Sequence, residues 1–181
     1  MMSCREGGAI PMPRLERWEK QFVVVLAVLA VVMLGFIVYS RHFWLEATRP
    51  KSKPADLAKV AALTDLRFPS GARLKSSRYI KYFPMSFLWA EVVIPSQEVE
   101  AFKKTAGERV KITWTPDYRM SNITTKWMEK EGVKPPAWWH PELVREGVGG
   151  SRQIGADDYT EVMIGQPDRG MVLVYVQRSA G

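Results

Sequence analysis

Between Pro135 and Pro141 the chain reads PPAWWHP, and the residue types with the most chemical potential crowd there. Trp138 and Trp139 offer the flat apolar faces that stack on sugars or anchor protein interfaces. His140 is one of only two histidines, and Glu142 and Arg145 follow it closely. Adjacent side chains in an extended segment point opposite ways, so one Trp is expected to bury against a sheet while the other covers a loop or meets a partner. Trp138, Trp139, His140 and Arg145 are therefore the candidate partner or ligand surface, with His140 capping the short turn that Pro141 opens.

Other chemistries find little support. A serine triad needs a base and an orienter, yet His140 is the only imidazole in residues 67–181 and no G-x-S-x-G frames a serine. A metal site gathers His, Cys or carboxylates at set spacing; HPELVRE is not H-E-x-x-H, and Asp157 with Asp158 reads as a solvated loop pair. GVGGSRQIG places Arg152 where a dinucleotide fingerprint needs its last glycine, and no Lys-Ser/Thr pair follows, so it reads as a flexible connector. Cys4 is the sole cysteine, which excludes an intramolecular disulfide and a thiol nucleophile in the folded part. No catalytic group, metal or cofactor is expected.

The elements that position PPAWWHP begin with an anchor. FVVVLAVLAVVMLGFIVY, Phe22 to Tyr39, carries no charge, and as a helix it spans roughly 27 Å, near the thickness of a hydrocarbon core. Trp18 precedes it, and Arg41, Phe43 and Trp44 follow, as residues of a membrane interface do. No A-x-A site follows the run, so an uncleaved single-pass helix is expected rather than a signal peptide. Four basic residues flank its N-side (Arg5, Arg14, Arg17, Lys20) and five its C-side (Arg41, Arg49, Lys51, Lys53, Lys59), which leaves orientation undecided by charge. The short tail and large C-terminal part favour an N-in, C-out signal anchor in a bacterial inner membrane.

The net charge of +7 is local. Residues 41–81 hold ten basic and three acidic side chains, whereas 82–181 hold twelve and thirteen. Nucleic-acid readers carry a basic face on the folded module; this excess sits beside an apolar segment and points to anionic lipid headgroups instead.

The expected organisation is a tail (1–21), a transmembrane helix (22–40), a basic juxtamembrane stalk (41–66), solvated in its first half and with a short helix in its second where Leu57, Val60 and Ala61 share a face, and an α+β domain (67–181). FPSG reads as the turn opening that domain. RLKSSRYIKYF and SFLWAEVVI form a hairpin with one exposed face, Leu88, Ala90, Val92 and Ile94 facing one way. SQEVEAFKKTAG is a helix capped by Ser96 and ended by Gly107, with Val99, Phe102 and Ala106 buried. RVKITW is a third strand. SNITTKWMEKEG is a helix capped by Ser121 or Asn122, with Ile123 and Trp127 one turn apart. YTEVMIG and MVLVYVQR flank a QPDRG turn as a closing hairpin, and the nearly all-apolar MVLVYV is central. The fold class is α+β: an antiparallel sheet with one or two helices on one face.

FPSGARL, then a hairpin, PSQEVEAF, PPAWWHP and a closing hairpin together resemble small bacterial proteins anchored by one N-terminal helix or a lipid. The resemblance covers about residues 67–181 and carries no activity with it. The expected function is a membrane-tethered, non-enzymatic binding domain of the cell envelope that contacts another protein, with a small-ligand or glycan sensor as the alternative. Nucleic acid is not an expected partner.

Overall fold

A computed structural model describes residues 17–153, 155 and 158–181. Cys4, Arg5, Arg14 and Asp157 lie outside the described residues, as does the side chain of Trp127. The chain divides into two compact units, Met1–Glu46 and Ala47–Gly181.

In the first unit, helix α1 (Arg17–Thr48) is long and apolar enough over Trp18–Glu46 to cross a membrane. The apolar side chains from Phe22 to Tyr39 are exposed on every side, as a helix solvated by lipid requires.

The second unit is a seven-stranded antiparallel sheet in the order β1-β2-β3-β7-β6-β5-β4. Its strands are β1 (Lys51–Lys53), β2 (Arg73–Tyr82), β3 (Met85–Pro95), β4 (Thr115–Pro116), β5 (Val148–Gln153), β6 (Tyr159–Asp168) and β7 (Met171–Ala180). The helices are α2 (Leu57–Thr64), α3 (Val99–Arg109) and the short α4 (Lys126–Lys130). MVLVYV is central as expected: β7 pairs with β3 on one side and β6 on the other. The β6–β7 turn needs left-handed backbone at both Arg169 (φ 50°) and Gly170 (φ 78°), the conformation that matches the twist of a two-residue hairpin.

Alternation divides the sheet into two packed faces. Leu88, Ala90, Val92 and Ile94 of β3 join Val162, Ile164, Val172, Val174 and Val176 under α2 and α3. Val60 of α2 and Phe102 and Ala106 of α3 fill this layer. The other side of β3 is not the exposed face expected. Phe87, Trp89 and Glu91 are buried there, because residues 117–145 fold back as a lid that contributes Val133 and Trp139.

Several local expectations change for identifiable reasons. The first half of the stalk does not stay solvated, since Lys51–Lys53 pairs with β2; the short helix expected in its second half forms as α2, and Ala55, Val60 and Leu66 enter the core, so the folded unit takes in residues well before 67. Asp56 caps α2 by accepting the Lys59 N–H at 2.7 Å. Ser96 starts a 3-10 turn rather than capping α3 through its side chain, and its buried Oγ has no hydrogen-bond partner among the described residues. Gly107 does not end α3; the helix runs to Arg109, and Lys111 (φ 61°) supplies the left-handed residue that turns the chain. That turn also breaks RVKITW as a strand. Val110 and Ile112 still bury, but Trp114 leans back to donate its Nε1–H to the Lys103 carbonyl at 3.0 Å, and only Thr115–Pro116 pairs, with β5. Helix α4 is shorter than expected, and Thr125, not Ser121 or Asn122, accepts the Met128 N–H through its Oγ1.

The glycine-rich connector is a strand, not a flexible loop. Its glycines admit close neighbours: a Cβ on Gly150 would lie 2.1 Å from the Thr113 carbonyl oxygen, and one on Gly149 2.5 Å from the Tyr118 ring. No side chain larger than hydrogen fits where the chain crosses β5.

Candidate functional site

PPAWWHP lies in the lid over the second face. Trp139 is buried, with its ring edge-on to Tyr175 of β7 at 5.3 Å between centroids. Trp138 is half-buried and packs edge-on to Trp139 at 6.0 Å. The segment therefore closes a core rather than displaying two stacking platforms. The Trp139 N–H bonds the Pro136 carbonyl at 2.9 Å, a turn that drives this ring inward.

His140 is exposed, and its side chain does not cap the 3-10 turn Pro141–Leu143. Its carbonyl accepts the Leu143 N–H at 3.1 Å, while its Nδ1 pairs with Glu142 Oε1 at 2.8 Å. The hydrogen bond to Glu142 raises the His140 pKa above the ordinary value. Glu142 is held below the usual carboxylate range by its own backbone N–H and by His140. Arg145 is exposed and lies beyond this pair.

Beneath the lid is a polar cluster that sequence reading missed. Glu161 of β6 is 1% exposed and stands opposite Gln177 of β7 in the register. Its carboxylate accepts the Tyr118 and Tyr159 hydroxyls, each at 2.7 Å, the Ser121 N–H at 3.1 Å, the Ser121 hydroxyl at 3.0 Å, and the Gln177 amide. Gln177 also donates to the Ser121 carbonyl at 2.8 Å. A buried carboxylate is tolerated when its lone pairs are filled this completely. Burial, then the bond to Glu161, raises the Tyr118 pKa far above its ordinary value, so Tyr118 stays a donor. One signal was present in YTEVMIG: period-two alternation puts Glu161 on the same face as Met163, pointing into a core.

Two depressions border the lid. A cleft of about 210 Å³ is walled by Met120, Pro135, Trp139, Glu142 and Gln177, among others. A larger groove of about 700 Å³ runs between residues 143–146 and the sheet, with Val93, Met171 and Leu173 on its floor. Lys75 and Arg145 line it beside Glu146 and Asp168, and Leu143 stands on its rim with 72% of its surface exposed. Arg119 holds this stretch in place by donating to the Val144 carbonyl at 2.7 Å.

The structure thus brings Arg145 to the groove, keeps His140 on Glu142, and buries Trp139. Trp18, Arg41, Phe43 and Trp44 are exposed on α1, in the other unit. Asp158 pairs with Arg178 at 3.2 Å. No group of three or more His, Cys, Asp or Glu side chains gathers among the described residues.

Fold and site define a class: an α+β domain with a seven-stranded antiparallel sheet, helices α2 and α3 on one face and a tryptophan-bearing lid that includes α4 on the other, preceded by one helix able to cross a membrane. No protein-family model matches the sequence, no curated protein matches it, and no solved structure matches the fold.

Proposed function

We propose that this chain is a membrane-tethered, non-enzymatic binding domain of the bacterial envelope, and that it contacts another protein through the groove beside Leu143 and Arg145. One observation carries the reading: the lid buries Trp139 yet holds Leu143 out at 72% exposure, on a groove with an apolar floor and charges of both signs at its edge. An exposed apolar anchor within a charged rim is how protein interfaces are organised. The occupant that fits is a segment of a neighbouring membrane or envelope protein that places one apolar side chain in the groove. A photo-crosslinking residue at Leu143 should give one discrete adduct in intact cells, and the same residue at Lys104 on α3 should not. Identical patterns at both positions, or no adduct at Leu143, would sink the reading.

The second reading, a small-ligand or glycan sensor, is favoured by the cleft where Trp139, Glu142 and Gln177 meet. Saccharides or cell-wall fragments should then change Trp fluorescence saturably, and a flat titration removes it.

In either case the helix is an uncleaved anchor with the N-terminus inside and the folded unit outside. An impermeant maleimide should label Cys4 only after lysis; labelling in intact cells reverses the orientation.

A further inference from the structure

The ten basic residues between 41 and 81 are scattered in the sequence, and the fold sorts them. Lys75 pairs with the buried Glu91 at 3.1 Å, and Arg78 donates to the Ser52 hydroxyl at 3.2 Å. Four others converge. The β1–β2 register sets Lys51 opposite Lys81 and Lys53 opposite Tyr79. Tyr79 packs on the α2 side of the sheet, and Lys59 of α2 holds its Nζ 4.6 Å from the centre of that ring. Lys51, Lys53, Lys59 and Lys81 therefore share one face at the β1 edge. All four are exposed, and none pairs with a carboxylate among the described residues. Asp56, close by in sequence, is engaged as the α2 cap. Two lysines directly opposite on neighbouring strands repel, an arrangement that an anionic counter-surface relieves.

We propose that this edge is a docking surface for anionic lipid headgroups of the membrane that holds the chain. The inference rests on reading α1 as an anchor. Covalent geometry selects lipid over other polyanions. Only Arg49 and Pro50 separate α1 from β1, so the Cα atoms of Thr48 and Lys51 lie within roughly 11 Å of each other in any arrangement of the chain. Charge distribution agrees: residues 82–181 hold twelve basic and thirteen acidic side chains, so attraction to an anionic surface turns this edge, not the whole unit, towards it. Each lysine at such a surface strengthens docking roughly fivefold, so removing three lowers the docked-to-undocked ratio roughly a hundredfold.

The test is residue-resolved lysine acetylation of the full chain in nanodiscs, read by mass spectrometry. Phosphatidylglycerol-containing discs should slow labelling of Lys51, Lys53, Lys59 and Lys81 about tenfold or more relative to phosphatidylcholine discs, while exposed Lys104 and Lys130 label alike in both. About 0.5 M salt should abolish the difference by screening. In the Lys51→Gln/Lys53→Gln/Lys81→Gln variant, Lys59 should lose its protection while the melting temperature holds. If the full chain washes off phosphatidylcholine membranes in alkaline carbonate, the anchor reading fails and takes the proposal with it. If it stays and the four lysines label alike in both discs, the docking proposal alone is overturned. Equal protection by soluble polyglutamate in phosphatidylcholine discs would assign the edge to an acidic protein and overturn the lipid.

Discussion

Trp139 meets Tyr175 edge-on, with ring centroids 5.3 Å apart and planes at 80°, and this contact fastens the lid to the central strand. The two aromatic residues lie 36 positions apart in the chain, so the contact is a consequence of tertiary folding. It also separates the roles of two neighbouring tryptophans.

Trp139→Ala should cost about 3–5 kcal/mol, as truncation of a buried Trp does, and Trp138→Ala much less. Denaturant unfolding of the full chain in detergent, followed by circular dichroism, measures both. Equal costs would mean that the lid does not depend on the inward ring.

The Glu161 cluster makes a second prediction. Tyr118→Phe removes a hydroxyl donor from a buried carboxylate and should destabilise by about 1–3 kcal/mol. Tyr159→Phe should act similarly, and the double variant should depart from additivity because both hydroxyls reach the same Oε1. A double-mutant cycle reads the coupling directly.

Alkaline titration tests the buried phenols. Burial raises the pKa of Tyr82, Tyr118 and Tyr175, so their neutral forms stabilise the fold. A raised folded-state value means this stabilisation is complete below the unfolded tyrosine pKa of about 10 and is lost as pH climbs above it. Phenolate absorbance should show these three ionising only with unfolding, and Tyr118→Phe should flatten the alkaline loss of stability. Ionisation of Tyr82, Tyr118 and Tyr175 near the unfolded tyrosine pKa in the folded state would contradict it.

The His140–Glu142 pair gives a pH effect of a different sign on each side. His140 is raised above 6.5, so its contribution is complete below that value and disappears as pH rises through the folded value. Glu142 is lowered below 4.5, so its contribution is complete above that value and disappears as pH falls through the folded value. The pair is intact between about pH 4.5 and 6.5. An NMR titration should place His140 above the ordinary histidine value, and Glu142→Gln should return it.

Glycine contacts predict a fifth outcome. Gly150→Ala sets a methyl 2.1 Å from the Thr113 carbonyl oxygen and should destabilise by about 1–3 kcal/mol or more, whereas Gly155→Ala meets nothing within 4 Å among the described residues. Melting temperatures of the two variants make the comparison.

The features legible in the sequence were those written in local patterns. The unbroken apolar run of Phe22–Tyr39 specifies a helix that can cross a membrane, because no core in a chain this size would cover it. The period of two set Leu88, Ala90, Val92 and Ile94 together on one face of β3, and the continuous apolarity of MVLVYV marked the central strand, since only a strand covered on both faces tolerates it.

Tertiary structure decided the rest. RVKITW alternates like a strand, yet a left-handed Lys111 and the bond from Trp114 to the Lys103 carbonyl hold it against α3. The glycine run looked flexible, yet backbone crossing at Thr113 made its missing side chains a packing requirement. Glu161 looked like an ordinary strand acid until Tyr118, Ser121 and Gln177, which lie 43, 40 and 16 positions from it, came together on its carboxylate. Local propensity and periodicity act within a few residues, so the sequence by itself determined the apolar helix, the α3 helix, the β2–β3 and β6–β7 hairpins and the faces of their strands. Which face closes, which Trp turns inward and which lysines gather at the β1 edge depend on contacts between distant segments, and only the folded sheet sets those.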